Sequence, residues 1–507
     1  MSEGGRYRVA LLEAGGANTG LKTVMPGMMP FQTIRTNWRY ETVPQAGLNG
    51  RRGYQPRGKG LGGSSAINAM VYIRGNAWDY DNWAAMGCAG WAYGDVLPYF
   101  RKSERNVRGA DDFHGGNGPL WVSDQTFAHA GSLAFVEAAA NLQIPRNDDF
   151  NGVSQEGAGL FQVTQKGGER WTSSRAYLGE AKTRTNLAIH LDVTAERVLF
   201  EEGRAWGVAY TQHGKQQTIR AKGAVVLAGG VFGTPQLLML SGIGDARHLA
   251  EHGIGPRIDR AQVGANLQDH CDYAATFETS LGGFMGKSIK GSLAGLGGIL
   301  RWLRNRGGPM TTCFAESGAF LTTDPAAPAP DIQLHFVIAM VEDHGRAVTK
   351  GHGFSCHACM LRPESKGSVR LACPDATAAP LIDPAFLTDP RDMAAMKRGV
   401  RAMYRILETP PMTQYQAVDR YPVDLDDDNA LEQLIRARSD TIYHPVGTAR
   451  MGSDAGAVCD PRLKVRGVEG LYIADASIMP KLISGNTNAP TMMIGERCAE
   501  FIRADLR

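Results

Sequence analysis

Three short stretches of this chain hold residue types that can do chemistry. In TIYHPVGTARMG, His444 stands directly before Pro445. A neutral imidazole takes up a proton near neutral pH, so His444 can act as a general base. On the residues alone it reads as readily as a hydrogen-bonded turn histidine. In RGKGLGGSSAINAMVYIRG, the glycines 58, 60, 62 and 63 fall within six positions, followed by Ser64, Ser65 and Asn68. Such a run lets backbone N–H groups come close to a ligand. A flexible surface loop is the other reading, but AINAMVYI after it has no place for solvent-facing polar groups and leads into buried structure. In RVALLEAGG, an apolar run ends at Glu13 and two glycines. An acid there takes the ribose hydroxyls in a dinucleotide-binding unit, and the glycine turn belongs about 20 residues earlier.

These residues need elements to position them. The opening strand with Glu13 is one α/β nucleotide-fold piece. A second is AKGAVVLAGGVFGTPQLLMLSGIG, with a strand predicted over 224–227, a glycine turn, and a helix from Pro235 to Leu240. Ala228 stands where a phosphate fingerprint needs its first glycine. A third is GLYIADASIMP, a strand ending in Asp475. Between about 276 and 440 the pattern changes to strands with turn signals, PDIQLHFVIAM, GFSCHACML and GSVRLA, with one amphipathic helix, DPRDMAAMKRGVRAMYRILE. The fold class is therefore α/β with an α+β insertion. A dinucleotide-binding, Rossmann-like domain covers 1–275, with 110–185 partly a cap or lid. A substrate domain on an antiparallel sheet covers 276–439, and 440–507 returns to the first domain.

The bulk numbers narrow the class. Net charge is +3 with the signs interspersed, and no basic stripe suggests nucleic acid. Of eight cysteines only Cys356 and Cys359 form a C-x-x-C pair, which reads as two apolar strand residues. No metal site is expected. No secretory h-region and no run of about 18 apolar residues is present, so a cytoplasmic protein is expected. SIKGSLAGLGGILRWLRNRGG mixes apolar residues with Lys290, Arg301, Arg304 and Arg306. It reads as a lid helix over a pocket or as a peripheral contact with the inner membrane, where electrons could pass to quinone.

Gly58 to Asn68 with Tyr72, Gly75 and Asp81 resembles the first signature of the glucose–methanol–choline (GMC) flavoprotein oxidoreductases. Thr234 to Gly244 resembles their second, with Val231 where a small residue is usual. HPVGTARMG and NTNAPTMMIGE resemble the family's active-site segments. AINAMVYIRG and SGNTNAPTMMIGE are closer to the choline and aliphatic alcohol dehydrogenase branch than to sugar oxidases.

The resemblance implies FAD, with Gly60, Gly62, Gly63 and Ser64 around it and Asn68, Ala69, Met70 and Val71 against the flavin. It implies Glu13 on the adenosine ribose and the backbone of Ala195 at the adenine. Asp475 and Ala476, and Pro490 and Thr491 in the first turn of a last helix, complete the set. That helix N-terminus carries partial positive charge. Ile67 stands where some members tether flavin through a histidine, so non-covalent FAD is expected. His444 is implied as the base and Asn488 as its partner. The implied reaction is oxidation of an alcohol, most simply a neutral primary alcohol, to an aldehyde. The electron acceptor is open among quinone, a dye-like carrier and oxygen. Choline dehydrogenation, a lyase of the same fold and an inactive remnant are the competing readings. The family opens with a strand and a glycine turn that do not precede Met1 here. The chain is thus expected to be N-terminally truncated, through a misplaced start or a true loss.

Overall fold

The computed structural model describes residues 1–347 and 349–506. Its largest element is an eight-stranded antiparallel sheet. Six strands run in the order Val418–Asp419, Cys271–Glu278, Gly351–Met360, Ile332–Val337, Ala315–Leu321 and Gly157–Leu160. Gly286–Lys287 and Ser439–Thr441 pair onto its flanks. The sheet thus draws one strand from the stretch expected to be partly a cap, and it starts at Cys271. Such long-range pairing leaves no mark in local periodicity.

Alternation along the strands gives this sheet two different faces. Ile332, Leu334 and Phe336, with Phe354, Cys356, Ala358 and Met360, belong to one apolar core. The helix Pro390–Leu407 closes that core. Asp389 caps it by accepting from the Arg391 N–H, Pro390 opens it, and Met393, Met396, Val400 and Met403 fall on its buried side. His335, Val337 and His357 instead line a large cavity on the opposite face. Cys356 and Cys359 are three apart, so they point to opposite faces. They belong to different clusters, and both are free thiols.

The nucleotide-type half is built from short parallel ladders. Val9–Leu12 pairs with Leu187–His190, and Val225–Leu227 pairs with Leu471–Ile473. The two ladders are not hydrogen-bonded to each other, and both line the same cavity. A three-stranded antiparallel sheet, Val193–Glu201, Arg204–Gln212 and Lys215–Arg220, stands beside them. The helix expected from Pro235 begins at Gly230 instead. Asp475, at the end of the neighbouring ladder, explains the earlier start. Its Oδ2 accepts from the Gly230 N–H at 3.0 Å and from the Thr234 hydroxyl at 2.6 Å. Its position 245 residues away in sequence hides this cap from local reading. The last helix, Asn488–Asp505, forms as expected, with Pro490 in its first turn. Among the described residues no helix is long and apolar enough to cross a membrane.

Candidate active site and cofactor cradle

The cavity measures about 4320 Å³ and runs from Val9–Leu12, past the glycine loop, to His444 under the antiparallel sheet. His444 is buried on the tight segment between Thr441 and Gly447, where Asp269 accepts from its backbone N–H at 2.9 Å. Its ring lies in a chain of hydrogen bonds that fixes the protons. His270 Nε2 is 3.2 Å from the carbonyl oxygen of Leu361, which can only accept, so Nε2 carries the hydrogen. His270 Nδ1 is then an acceptor. It lies 3.0 Å from His444 Nδ1, which must be the donor. The lone pair of His444 is therefore on Nε2. The amide of Asn486 donates to that atom at 3.0 Å, and Gln333 Nε2 donates to Asn486 Oδ1 at 3.4 Å.

Asn488 is the expected partner of His444, and the amide hydrogen-bonded to His444 in the structure is that of Asn486. Asn488 also lines the cavity, but as the first residue of the terminal helix. Two asparagines flank Thr487, and only the path of the loop decides which one meets the imidazole. His270 escaped the sequence reading as well, since 174 residues separate it from His444.

Burial is the largest influence on these rings. It holds His444 well below the ordinary imidazole range, helped by His270, His335 and Arg57 nearby. Burial also pulls His270 and His335 down to about 3. A histidine in this site is thus neutral at pH 7 and able to accept a proton. Asp269, which holds the His444 backbone, is pushed up to about 6 by its own burial.

The glycine loop forms a cradle. Gly60, Gly62 and Gly63 all have positive φ, a region that L side chains avoid. A Cβ on Gly60 would lie 2.5 Å from Asn18 Nδ2, and one on Gly58 would lie 2.1 Å from the Gly63 oxygen. Glu13 Oε1 accepts from the N–H groups of Gly15 and Gly60, each at 2.9 Å. This locks the end of the first strand to the loop. The other carboxylate oxygen remains for a hydroxyl, and Glu13 lines the cavity. Gly60 thus holds Glu13 with its own N–H. Gly62, Gly63, Ser64, Asn68, Ala69, Met70 and Val71 line the cavity. Met70 has a left-handed backbone, φ 64°. Asn68 Oδ1 holds that turn by accepting from the Met70 N–H at 3.1 Å and from Arg170 at 2.8 Å.

Ala195, Asp475, Ala476, Asn488 and Thr491 also line the cavity, whereas Pro490 is buried in the first turn of its helix. Asp475 carries a structural role besides, through the helix cap described above. Donors, acceptors and a bare glycine surface along one elongated cavity fit a dinucleotide cofactor, and the alkyl side chain of Ile67 offers no atom for a covalent tether.

A dinucleotide cradle joined to a buried neutral base defines a cofactor-dependent oxidoreductase. Models of the GMC oxidoreductase family match residues 9–272 (N-terminal part) and 363–495 (C-terminal part). The chain belongs to the GMC oxidoreductase family, flavoproteins that act on CH–OH donors with FAD. It is 42% identical over 502 residues to an alcohol dehydrogenase [acceptor] of Pseudomonas putida, an alignment covering 98% of this chain and 91% of that protein. It is 38% identical to the mitochondrial choline dehydrogenase of Homo sapiens, covering 99% of this chain and 86% of that one. Its fold is similar to a formate oxidase of Aspergillus oryzae studied for FAD modification, with TM-score 0.90, 26% identity and coverage of 98% and 94%.

Proposed function

We propose that this protein oxidises a neutral primary alcohol to the aldehyde, with His444 Nε2 as the proton acceptor. The observation that carries the reading is the chain Leu361–His270–His444, which puts the lone pair of a neutral buried imidazole on Nε2, where the Asn486 amide now donates and an alcohol hydroxyl would take its place. An alkoxide is a poor species in water. A base within hydrogen-bond reach removes the hydroxyl proton as the carbon gives up its hydride. The glycine loop and Glu13 would hold FAD, which would supply the hydride acceptor when bound. The Asn486 amide has two N–H donors, so it can orient the alcohol oxygen beside His444. His270 accepts from the imidazolium that forms and keeps its ring in place.

A neutral substrate is favoured by the acids near the sheet. Glu342 is paired with Arg438, and Asp343 with Arg346. Neither is spare to face a trimethylammonium group. The similarity to an alcohol dehydrogenase [acceptor] supports the same direction. Steady-state assays with an artificial dye acceptor, comparing 1-alkanols with choline, test this. The reading expects a higher kcat/KM for alkanols. A preference for choline assigns the site to choline oxidation, and an enzyme whose flavin stays oxidised with every alcohol under anaerobic conditions removes the proposal.

A further inference from the structure

The helix Ile289–Asn305 presents the wrong face to water. Its inner side is small and anchored. Gly298 and Trp302 are buried, a Cβ on Gly291 would lie 2.2 Å from the Gly286 oxygen, and Trp302 Nε1 donates to the Gly168 carbonyl at 2.7 Å. The outer side carries Ile289, Leu293, Leu296, Leu300 and Leu303, spaced in steps of four and three, which align on one stripe of a helix. All five are exposed, from 49% at Leu303 to 84% at Ile289. A contiguous apolar stripe of this kind marks an interaction surface.

Charge decides what the stripe meets. Between Glu278 and Glu316 the sequence has no acid and five cations. Arg301 and Arg304 lie beside the stripe, exposed, and make no ion pair among the described residues. A second copy of the helix would bring these arginines together without a carboxylate to meet them. An anionic lipid surface complements them and accepts the leucines. The stripe is also continuous with the site. Ile289 and Leu296 line the cavity, as do the exposed Phe31 and Leu281, so the helix sits where the cavity meets solvent.

We propose that this helix is a membrane-surface anchor, which lays the Leu293–Leu303 stripe into an anionic leaflet and opens the cavity toward the bilayer. The anchoring is independent of which alcohol is oxidised. Its test reads binding alone. Purified full-length holoenzyme is floated with vesicles of phosphatidylglycerol and phosphatidylethanolamine, and with phosphatidylcholine vesicles as the uncharged control. The wild type is expected to float with the anionic vesicles, and more weakly with the uncharged ones. L293S/L300S/L303S, whose residues lie outside the cavity lining, is expected to lower vesicle affinity about tenfold or more with dye-linked turnover retained. R301Q/R304Q is expected to flatten the dependence on salt and on anionic lipid. Wild type that stays unbound, or a triple variant that floats as the wild type does, overturns the proposal. So does a dimer that the triple variant converts to monomer while neither form binds vesicles.

Discussion

His270 holds His444 through a contact between like atoms, Nδ1 to Nδ1 at 3.0 Å. Two ring nitrogens can share one hydrogen only if one ring donates and the other accepts. The Leu361 carbonyl, by taking the Nε2–H of His270 at 3.2 Å, decides which. A backbone oxygen thus sets the tautomer of a base two side chains away. His444→Ala is expected to slow anaerobic flavin reduction by alcohol about 10²- to 10⁴-fold with flavin content nearly unchanged. Stopped-flow absorbance measures it, and reduction at the wild-type rate would remove His444 from the chemistry.

His270 is a positioning residue, since it meets no substrate. His270→Ala leaves the buried Nδ1–H of His444 without an acceptor, which costs about 1–3 kcal/mol. The expected result is a kcat lowered about tenfold or more, with a shifted acid limb in the pH profile and a smaller change in KM. An unshifted pH profile with only a lower melting temperature would reduce His270 to a packing role.

Asn486 and Asn488 make a paired test. Asn486 donates to His444 Nε2 at 3.0 Å, whereas Asn488 opens the terminal helix. Asn486→Ala is expected to lower kcat about 10- to 100-fold, and Asn488→Ala considerably less. The reverse order in steady-state kinetics would return the role to Asn488.

The glycine loop, proposed to hold FAD, is tied to the first strand by Glu13 and Gly60 together. Gly60→Ala puts a Cβ against Asn18 and the Gly16 oxygen at φ 106°. Glu13→Ala frees two N–H groups now bonded to one oxygen. Both variants are expected to purify with a lower ratio of flavin absorbance to protein and a lower melting temperature. Full flavin occupancy in Glu13→Ala would show that the carboxylate is dispensable for the cofactor.

Acid stability follows from the same buried rings. His270, His335 and His444 have lowered values in the fold, while an unfolded histidine titrates near 6.5. Below about pH 6.5 the unfolded chain therefore binds protons that the native rings refuse, and stability falls with pH. Asp269 opposes this between about 6 and 3.9, because burial makes the native carboxyl the better proton acceptor. Three such rings stand against this one carboxyl, so their sum is a loss of stability as the pH falls through that window. Melting temperatures measured from pH 7.5 down to 4.5 should drop steeply, and a flat profile would contradict the neutral histidine cluster.

The sequence by itself determined the parts whose information is local. Glycines 58 to 63 need backbone conformations and close approaches that other residues oppose, so their spacing marks the cradle. The helix Pro390–Leu407 is written in its 3.6-residue period, and Glu13 follows its strand directly. His444 was also visible, through the segment that carries it. The tertiary structure alone decided which asparagine faces the imidazole, that His270 stands behind it, and that Asp475 starts a helix at Gly230. Each of those relations is a hydrogen bond a few ångströms long between residues 42 to 245 positions apart. No periodicity or propensity records such a bond, because it exists only once two distant segments have been packed into one geometry.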